Sequence, residues 1–189
     1  MHIVMALREI LTEPNEILRK KSLAVEAMDE DLQKLMDDML ETMYAAPGIG
    51  LAAIQVGIPK RVIVLDIGWR DKSENTNNEK QEERKNPMYF VNPEIIEKSN
   101  VNSTYEEGCL SVPGQFAEID RPSACHIKYL DYYGQSKEMK ASGMLATCIQ
   151  HEIDHLEGIL FIDYLSKLKK SMIIKKLSKQ KEQLDRIVI

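Results

Sequence analysis

Residues 148–158 read CIQHEIDHLEG, and they place His151 and His155 four positions apart around Glu152. On an α-helix that spacing projects both imidazoles from one face, where they can share one cation. Glu152 lies about 100° around the helix axis from His151, so its carboxylate can approach the cation's open side without serving as a ligand. Water bound at such a cation loses a proton easily, and a carboxylate in that place accepts it. The stretch also fixes a helix at this point in the chain. Ser142 is a reasonable N-cap for it, and Gly158 suits its far end.

Upstream of that helix the pattern is mostly strands. RVIVLDI (61–67) is short and β-branched and reads as a buried strand, and MYFVNPEII resumes β-type sequence from Met88. Residues 124–141 read as a hairpin that turns near Tyr133-Gly134. Nearer the N-terminus, residues 14–22 suggest a short helical turn opened by Pro14. Residues 29–46 carry Leu32, Leu35, Met36, Met39 and Leu40 at helical spacing, and Pro47 and Gly48 stop the run. Residues 69–87 are polar and mixed in charge, and read as a mobile loop insertion between two strands. A last helix is expected over about 164–186. Strands first, one central helix and a terminal helix give an α+β class: antiparallel or mixed sheets around a central metal-binding helix, with a C-terminal helix.

The chain has 189 residues, a length that suits one domain, 1–189, with a core of its own. The net charge of −5 makes no global case for nucleic acid, DNA included. The apolar N-terminus is interrupted by Arg8, Glu9 and Glu13, and no run approaches a membrane span. The expected location is therefore cytoplasmic, without a membrane partner. Three cysteines, Cys109, Cys125 and Cys148, suit thiols or metal ligands better than a disulfide framework. His2 and His126 carry no partner signal and read as ordinary histidines.

Two histidines do not hold a catalytic metal, so a third ligand is needed. Cys148 shares the face of His151, but a metal between His151 and His155 sits about 7 Å further along the axis at ~1.5 Å per residue. A cysteine side chain is too short for that, and Cys148 reads as a small buried hydrophobe lining the pocket. Cys109, in EEGCLSVPG (106–114), is the remaining candidate. A third notable stretch, GIGLAAIQVG (48–57), fails as a dinucleotide fingerprint because it follows a helix and lacks the three-glycine spacing.

In that order, GIGLAAIQ, EGCLS and QHEIDH resemble the three signature motifs of peptide deformylase, and the resemblance covers most of the chain. It implies a hydrolase that removes the formyl group from the initiator N-formylmethionine of nascent polypeptides, releasing formate. It implies Cys109, His151 and His155 as metal ligands and Glu152 as the general base and acid, with hydroxide attacking the formyl carbon. Gln55 and the Leu110 backbone N–H become the oxyanion donors. Fe2+ is the implied metal, one per chain, with Zn2+, Ni2+ or Co2+ as substitutes; a thiolate with two imidazoles suits several of these. Ile49, Gly50 and Gly108 resemble the segments that pair an extended substrate. Glu107, Met144 and Cys148 then line the methionine pocket, and Asp154 with Arg121 lies behind the ligands. Phe116 stands where several bacterial relatives carry a basic residue.

Residues 166–186 hold seven lysines and one arginine against Glu182 and Asp185, a local charge of +6 that leaves −11 for the rest. Leu165, Leu168, Met172 and Leu177 are the expected docking face, and the opposite face is a candidate contact with the ribosome. Two alternatives share part of this pattern. A zincin-like metallopeptidase predicts a third ligand other than cysteine. A catalytically inactive binder of N-terminal methionine predicts a metal closed by four protein ligands.

Overall fold

The computed structural model describes residues 6–68 and 85–187. Their strands are β1 (Gly50–Ala52), β2 (Val62–Leu65), β3 (Met88–Lys98), β4 (Asn102–Cys109), β5 (Val112–Pro122), β6 (Ala124–Leu130) and β7 (Ser136–Ser142). Their helices are α1 (Glu30–Ala45), α2 (Gly143–Leu156) and α3 (Lys167–Ile187), with 3-10 turns at Glu16–Arg19, Ala53–Val56 and Phe161–Tyr164. Five strands form one antiparallel sheet in the order β1-β2-β3-β6-β7, and β4-β5 form a separate hairpin. The class is α+β, as the sequence pattern requires.

Strand β2 explains the division of the core. Side chains alternate across a strand. Ile63 and Leu65 join Ile149 and Ile153 of α2, while Val62 and Val64 join Leu35, Met36 and Met39 of α1. Both faces of the sheet are covered, which is why 61–67 reads as a continuous apolar run rather than an alternating one. A third core lies under the hairpin. Val112, Ala117 and Ile119 of β5 pack with Leu160, Phe161 and Ile162 and with Ile173 and Leu177 of α3.

The helix termini follow local chemistry. The Asp29 side chain accepts from the Leu32 N–H at 2.8 Å, capping α1. Ser142 occupies the N-cap of α2 in extended conformation, but its side chain makes no capping hydrogen bond. The C-terminal end of α2 is held from outside. The Ser22 N–H donates to the Leu156 carbonyl at 2.8 Å, and Glu157 takes ion pairs from Arg61 at 2.5 Å and Lys21 at 2.8 Å. Gly158 then turns the chain at φ +75°, so close to Arg19 that a Cβ would lie 2.7 Å from that residue's carbonyl carbon. Only glycine fits there.

Two expectations change, and a third lies mostly outside the described residues. The last helix begins at Lys167, three residues later than expected, because Tyr164 closes the 3-10 turn Phe161–Tyr164. Its docking face is Ile173 and Leu177 with Ile174 and Leu165 half-buried; Leu168 and Met172 are 73% and 63% exposed. The break at Ser166 resets the helical phase, so counting from Leu165 selects the neighbouring stripe. The expected loop over 69–87 falls, for 69–84, outside the described residues.

Candidate metal centre

Helix α2 and the end of β4 meet at one point. The ligand atoms of Cys109, His151 and His155 lie within 4.8 Å of one another, close enough for a single ion. The Cys109 Sγ is 3.3 Å from His155 Nε2. His151 Nδ1 is 2.8 Å from Glu107 Oε2, which leaves its Nε2 for the centre. The two imidazoles lie 5.1 Å apart at 72°, and Phe161 stacks against His151. Both histidines are buried and Cys109 is half-buried. Soft sulfur with two imidazoles is the donor set of a three-ligand site whose fourth position stays open.

Electrostatics sort the two histidines. Burial lowers His155 well below the usual imidazole value, and His151 and Arg121 push it the same way. It is a neutral ring, the form a metal needs. His151 is also disfavoured as a cation by burial, but hydrogen bonds to Cys109 and Glu107 carry it well above that value. Burial raises Glu107, yet His151 and Arg121 hold its carboxyl below the ordinary range. Arg121 closes the network. It donates to Glu107 through Nε at 2.5 Å and Nη2 at 3.0 Å, and to Asp154 through Nη1 at 2.7 Å. The Tyr164 hydroxyl donates to the same Asp154 oxygen at 2.8 Å, with the guanidinium over its ring.

Glu152 is buried against β1. A Cβ at Gly50 would lie 2.9 Å from the Glu152 carboxyl carbon and 2.7 Å from Leu65 Cδ2, so the absence of a side chain at position 50 makes room for the carboxylate. Its Oε2 has no hydrogen-bond partner among the described residues. Burial is the main reason its pKa rises to about 7, the range in which a group takes and returns a proton near neutral pH. Gln55, on the 3-10 turn after β1, is locked at both ends of its amide. Oε1 accepts from the Ala52 N–H at 2.8 Å, and Nε2 donates to Ser111 Oγ at 3.0 Å and reaches Cys109 Sγ at 3.5 Å.

A cavity of about 480 Å³ opens over this centre. Ile49, Gly50, Gln55, Glu107, Gly108, Cys109, Leu110, Met144, Cys148, His151 and Glu152 all line it. Burial pushes the Cys148 thiol up to about 12, so it stays protonated as a wall and not a ligand. Asp154 and Arg121 lie behind that wall and His155 at the centre.

A family model described as polypeptide deformylase matches residues 7–171. The chain belongs to that family. A relative named peptide deformylase from Pelagibacter ubique is 60% identical over 185 residues, covering 98% of this chain and 100% of that protein. Another from Maricaulis maris is 55% identical over 96% of this chain and 98% of that one. The crystal structure of the Ehrlichia chaffeensis deformylase in complex with actinonin superposes with a TM-score of 0.84 at 43% identity, over 93% of this chain and 98% of that chain. The present deformylase is thus a hydrolase of N-formylmethionyl polypeptides that takes part in protein biosynthesis, in a metal-dependent family.

Sequence reasoning missed several residues of this deformylase site. Ser111 holds the Gln55 amide, and Pro113, Gly114 and Gln115 form a bulge at the cavity mouth, where the hairpin register slips between Gly108↔Phe116 and Cys109↔Val112. No local pattern marks that slip. Glu107 was read as pocket lining, whereas its carboxylate also touches His151. Strand period gave a signal for that, because positions 107 and 109 share a face of β4.

Proposed function

We propose that Cys109, His151 and His155 hold one divalent metal and that Glu152, Gln55 and the Leu110 N–H carry out deformylation around it. The observation that carries this reading is the convergence of three ligand atoms, two from helix α2 and one from the end of β4, beside a buried carboxylate oxygen with no partner among the described residues. When bound, the metal supplies Lewis acidity to a water and to the formyl oxygen. Glu152 takes the proton from the attacking water and returns it to the departing amine. The Gln55 amide, already clamped by Ala52 and Ser111, and the Leu110 N–H donate to the oxygen that gains charge. Losing one such donor costs about 3–4 kcal/mol.

The substrate is an extended peptide. Strand β1 has β2 as its one described partner and β4 has β5, so the edges at Ile49-Gly50 and at Gly108 are free to pair with it across the cavity. The methionine side chain enters between Glu107, Met144, Cys148 and the flank of His151. Arg121, itself anchored by Asp154, keeps Glu107 charged and oriented, and Glu107 in turn fixes the tautomer of His151. The native metal is Fe2+, with Zn2+, Ni2+ or Co2+ as substitutes, since thiolate with imidazole accepts all of these.

Formate release from formyl-Met-Ala by anaerobically Fe2+-loaded protein tests the assignment. Rapid release is expected, with a loss of at least about 100-fold in Glu152→Ala at unchanged metal content. Turnover that survives in that variant would remove Glu152 from the proton's path.

The nascent chain is met in the cytoplasm, and the exposed lysines of α3, among them Lys175, Lys176 and Lys179, give the enzyme an attraction to ribosomal RNA. Replacing these three by glutamine is expected to weaken co-sedimentation with ribosomes at low salt. Unchanged co-sedimentation would sink the ribosome contact.

A further inference from the structure

The two oxyanion donors belong to separate elements, and a third segment ties those elements together. The Leu11 N–H donates to the Gln55 carbonyl at 2.7 Å, and the Glu13 N–H donates to the Ser111 carbonyl at 2.8 Å. The Gln55 amide itself donates to Ser111 Oγ at 3.0 Å. Residues 11–13 therefore form a strap across the 3-10 turn Ala53–Val56 and the short link between β4 and β5. Leu110, whose N–H is the other donor, lies in that link one residue before Ser111. Gln55 and Ser111 are both buried, so a shift of the strap has to carry them along or break a buried hydrogen bond.

The strap is placed by a side chain that touches neither donor. The Glu13 carboxylate is only 7% exposed, and its Oε1 pairs with Arg19 Nη2 at 3.2 Å. Arg19 Nη1 donates to Asp163 Oδ2 at 2.6 Å, the oxygen that also accepts from the Leu160 N–H at 2.8 Å. Asp163 pairs in turn with Lys170 of α3. The backbone around Arg19 is seated on the C-terminal end of α2. Its carbonyl lies against Gly158, and the Ser22 N–H holds the Leu156 carbonyl. Arg19 thus spans from the end of the helix that carries both histidines to the strap that holds both donors. A planar guanidinium suits this, because its rigid fork fixes two carboxylates in set directions. Donors act only when aimed at the place where charge develops, and a misplacement of about 1 Å can cost about 100-fold.

We propose that Arg19 and Glu13 are positioning residues for deformylation: their ion pair sets the strap, and through the strap the reach of Gln55 and of the Leu110 N–H toward the formyl oxygen. The inference rests on the donor roles given under the proposed function. It makes kcat, rather than substrate binding or metal retention, depend on two side chains outside every motif of the site.

The test measures kcat and KM for formate release from formyl-Met-Ala, with metal content, on anaerobically Fe2+-loaded parent, Glu13→Gln, Arg19→Met and Lys21→Met. Glu13→Gln keeps the side-chain volume and loses the ion pair, so it serves even where Arg19→Met folds poorly. Both are expected to lower kcat about tenfold at nearly unchanged KM and metal content. The double variant should be no worse than either alone. Lys21→Met removes a pair with Glu157 at the same end of α2, and its kcat is expected to stay within about twofold of the parent. Combination with Gln55→Ala separates positioning from general loosening. Alone, Gln55→Ala is expected to cost at least about 100-fold; with that donor gone, Glu13→Gln should cost only about threefold more. A full tenfold loss in that background, a loss carried by KM or by metal content, an equal loss in Lys21→Met, or no loss at all would overturn the role of the pair while leaving the donors in place. Parent-like kcat in Gln55→Ala would overturn the donor assignment, and the positioning role with it.

Discussion

Glu107 and Asp154 show how differently two carboxylates near the same centre are used. Glu107 accepts from both ends of the Arg121 fork and reaches His151 Nδ1 at 2.8 Å, so it acts directly on a candidate ligand. Asp154, though next to His155 in sequence, faces Arg121 and Tyr164 instead. Glu107→Gln keeps the shape and removes the charge, and it is expected to weaken metal retention by about 10–100-fold. Competition with a chelator measures this directly, and retention equal to the parent's would show that the Glu107–His151 contact does not tune the metal. Asp154 pairs with Arg121, the partner that the resemblance implies, and not with His155 beside it in sequence, because neighbours on a helix point about 100° apart. The His-Glu-x-x-His spacing was a good guide to contact, because its geometry is contained within two turns of a single helix. Cys109 was legible only as the remaining candidate, since its approach to α2 depends on how a separate hairpin packs.

At the scale of elements, α1 shows what local pattern can and cannot reveal. Its apolar stripe was readable, but its Asp29 cap and the role of Asp38 were not. That residue sits within the helix with its carboxylate buried, and it accepts from the Ala6 N–H at 2.9 Å and pairs with Arg8 at 2.9 Å and Lys34 at 3.0 Å. Burial raises its pKa, but the Ala6 N–H, Lys34 and Arg8 more than offset this and hold it below the ordinary value of 3.8. A group depressed by folding contributes stability that is present above its unfolded pKa and is lost as pH falls through the folded one. Asp38→Asn is therefore expected to cost about 1–3 kcal/mol at neutral pH. The gap between parent and variant should shrink once the pH drops below 3.8, the ordinary value. Urea midpoints across that range are the check, and a gap that widens in acid would refute the sign. The face of α3 was misjudged in part for a related reason: Leu165 and Leu177 dock as expected, but only packing against Val112 and Phe161 selects Ile173 over Leu168 and Met172.

For the molecule as a whole, the class was readable from the order of strand and helix patterns, but the sheet partition was not. Nothing local announces that β4 and β5 leave the run of strands to form their own hairpin, because strand order is set by pairings distant in sequence. That partition puts Cys109 over one core, while the helix that carries both histidines packs through Ile149 and Ile153 on another. A metal held by all three therefore ties two cores together. At a thousandfold excess over its Kd, such an ion adds about 4 kcal/mol to the folded state, or roughly 10 °C in Tm for a protein of this size. Calorimetry of metal-loaded and chelator-treated protein is expected to show that shift, and Cys109→Ser to lose most of it. An equal Tm with and without metal would mean that the ion does not bridge the cores.

The same division has a kinetic side. A hairpin packed on its own small core can swing open while the five-stranded sheet and α2 stay folded, and each such excursion takes the thiolate away from the imidazoles. The residence time of the metal then becomes a clock for the breathing of β4 and β5. Substitutions beneath that hairpin, at Ile119 or Ile173, would quicken the clock far from any residue that touches the ion.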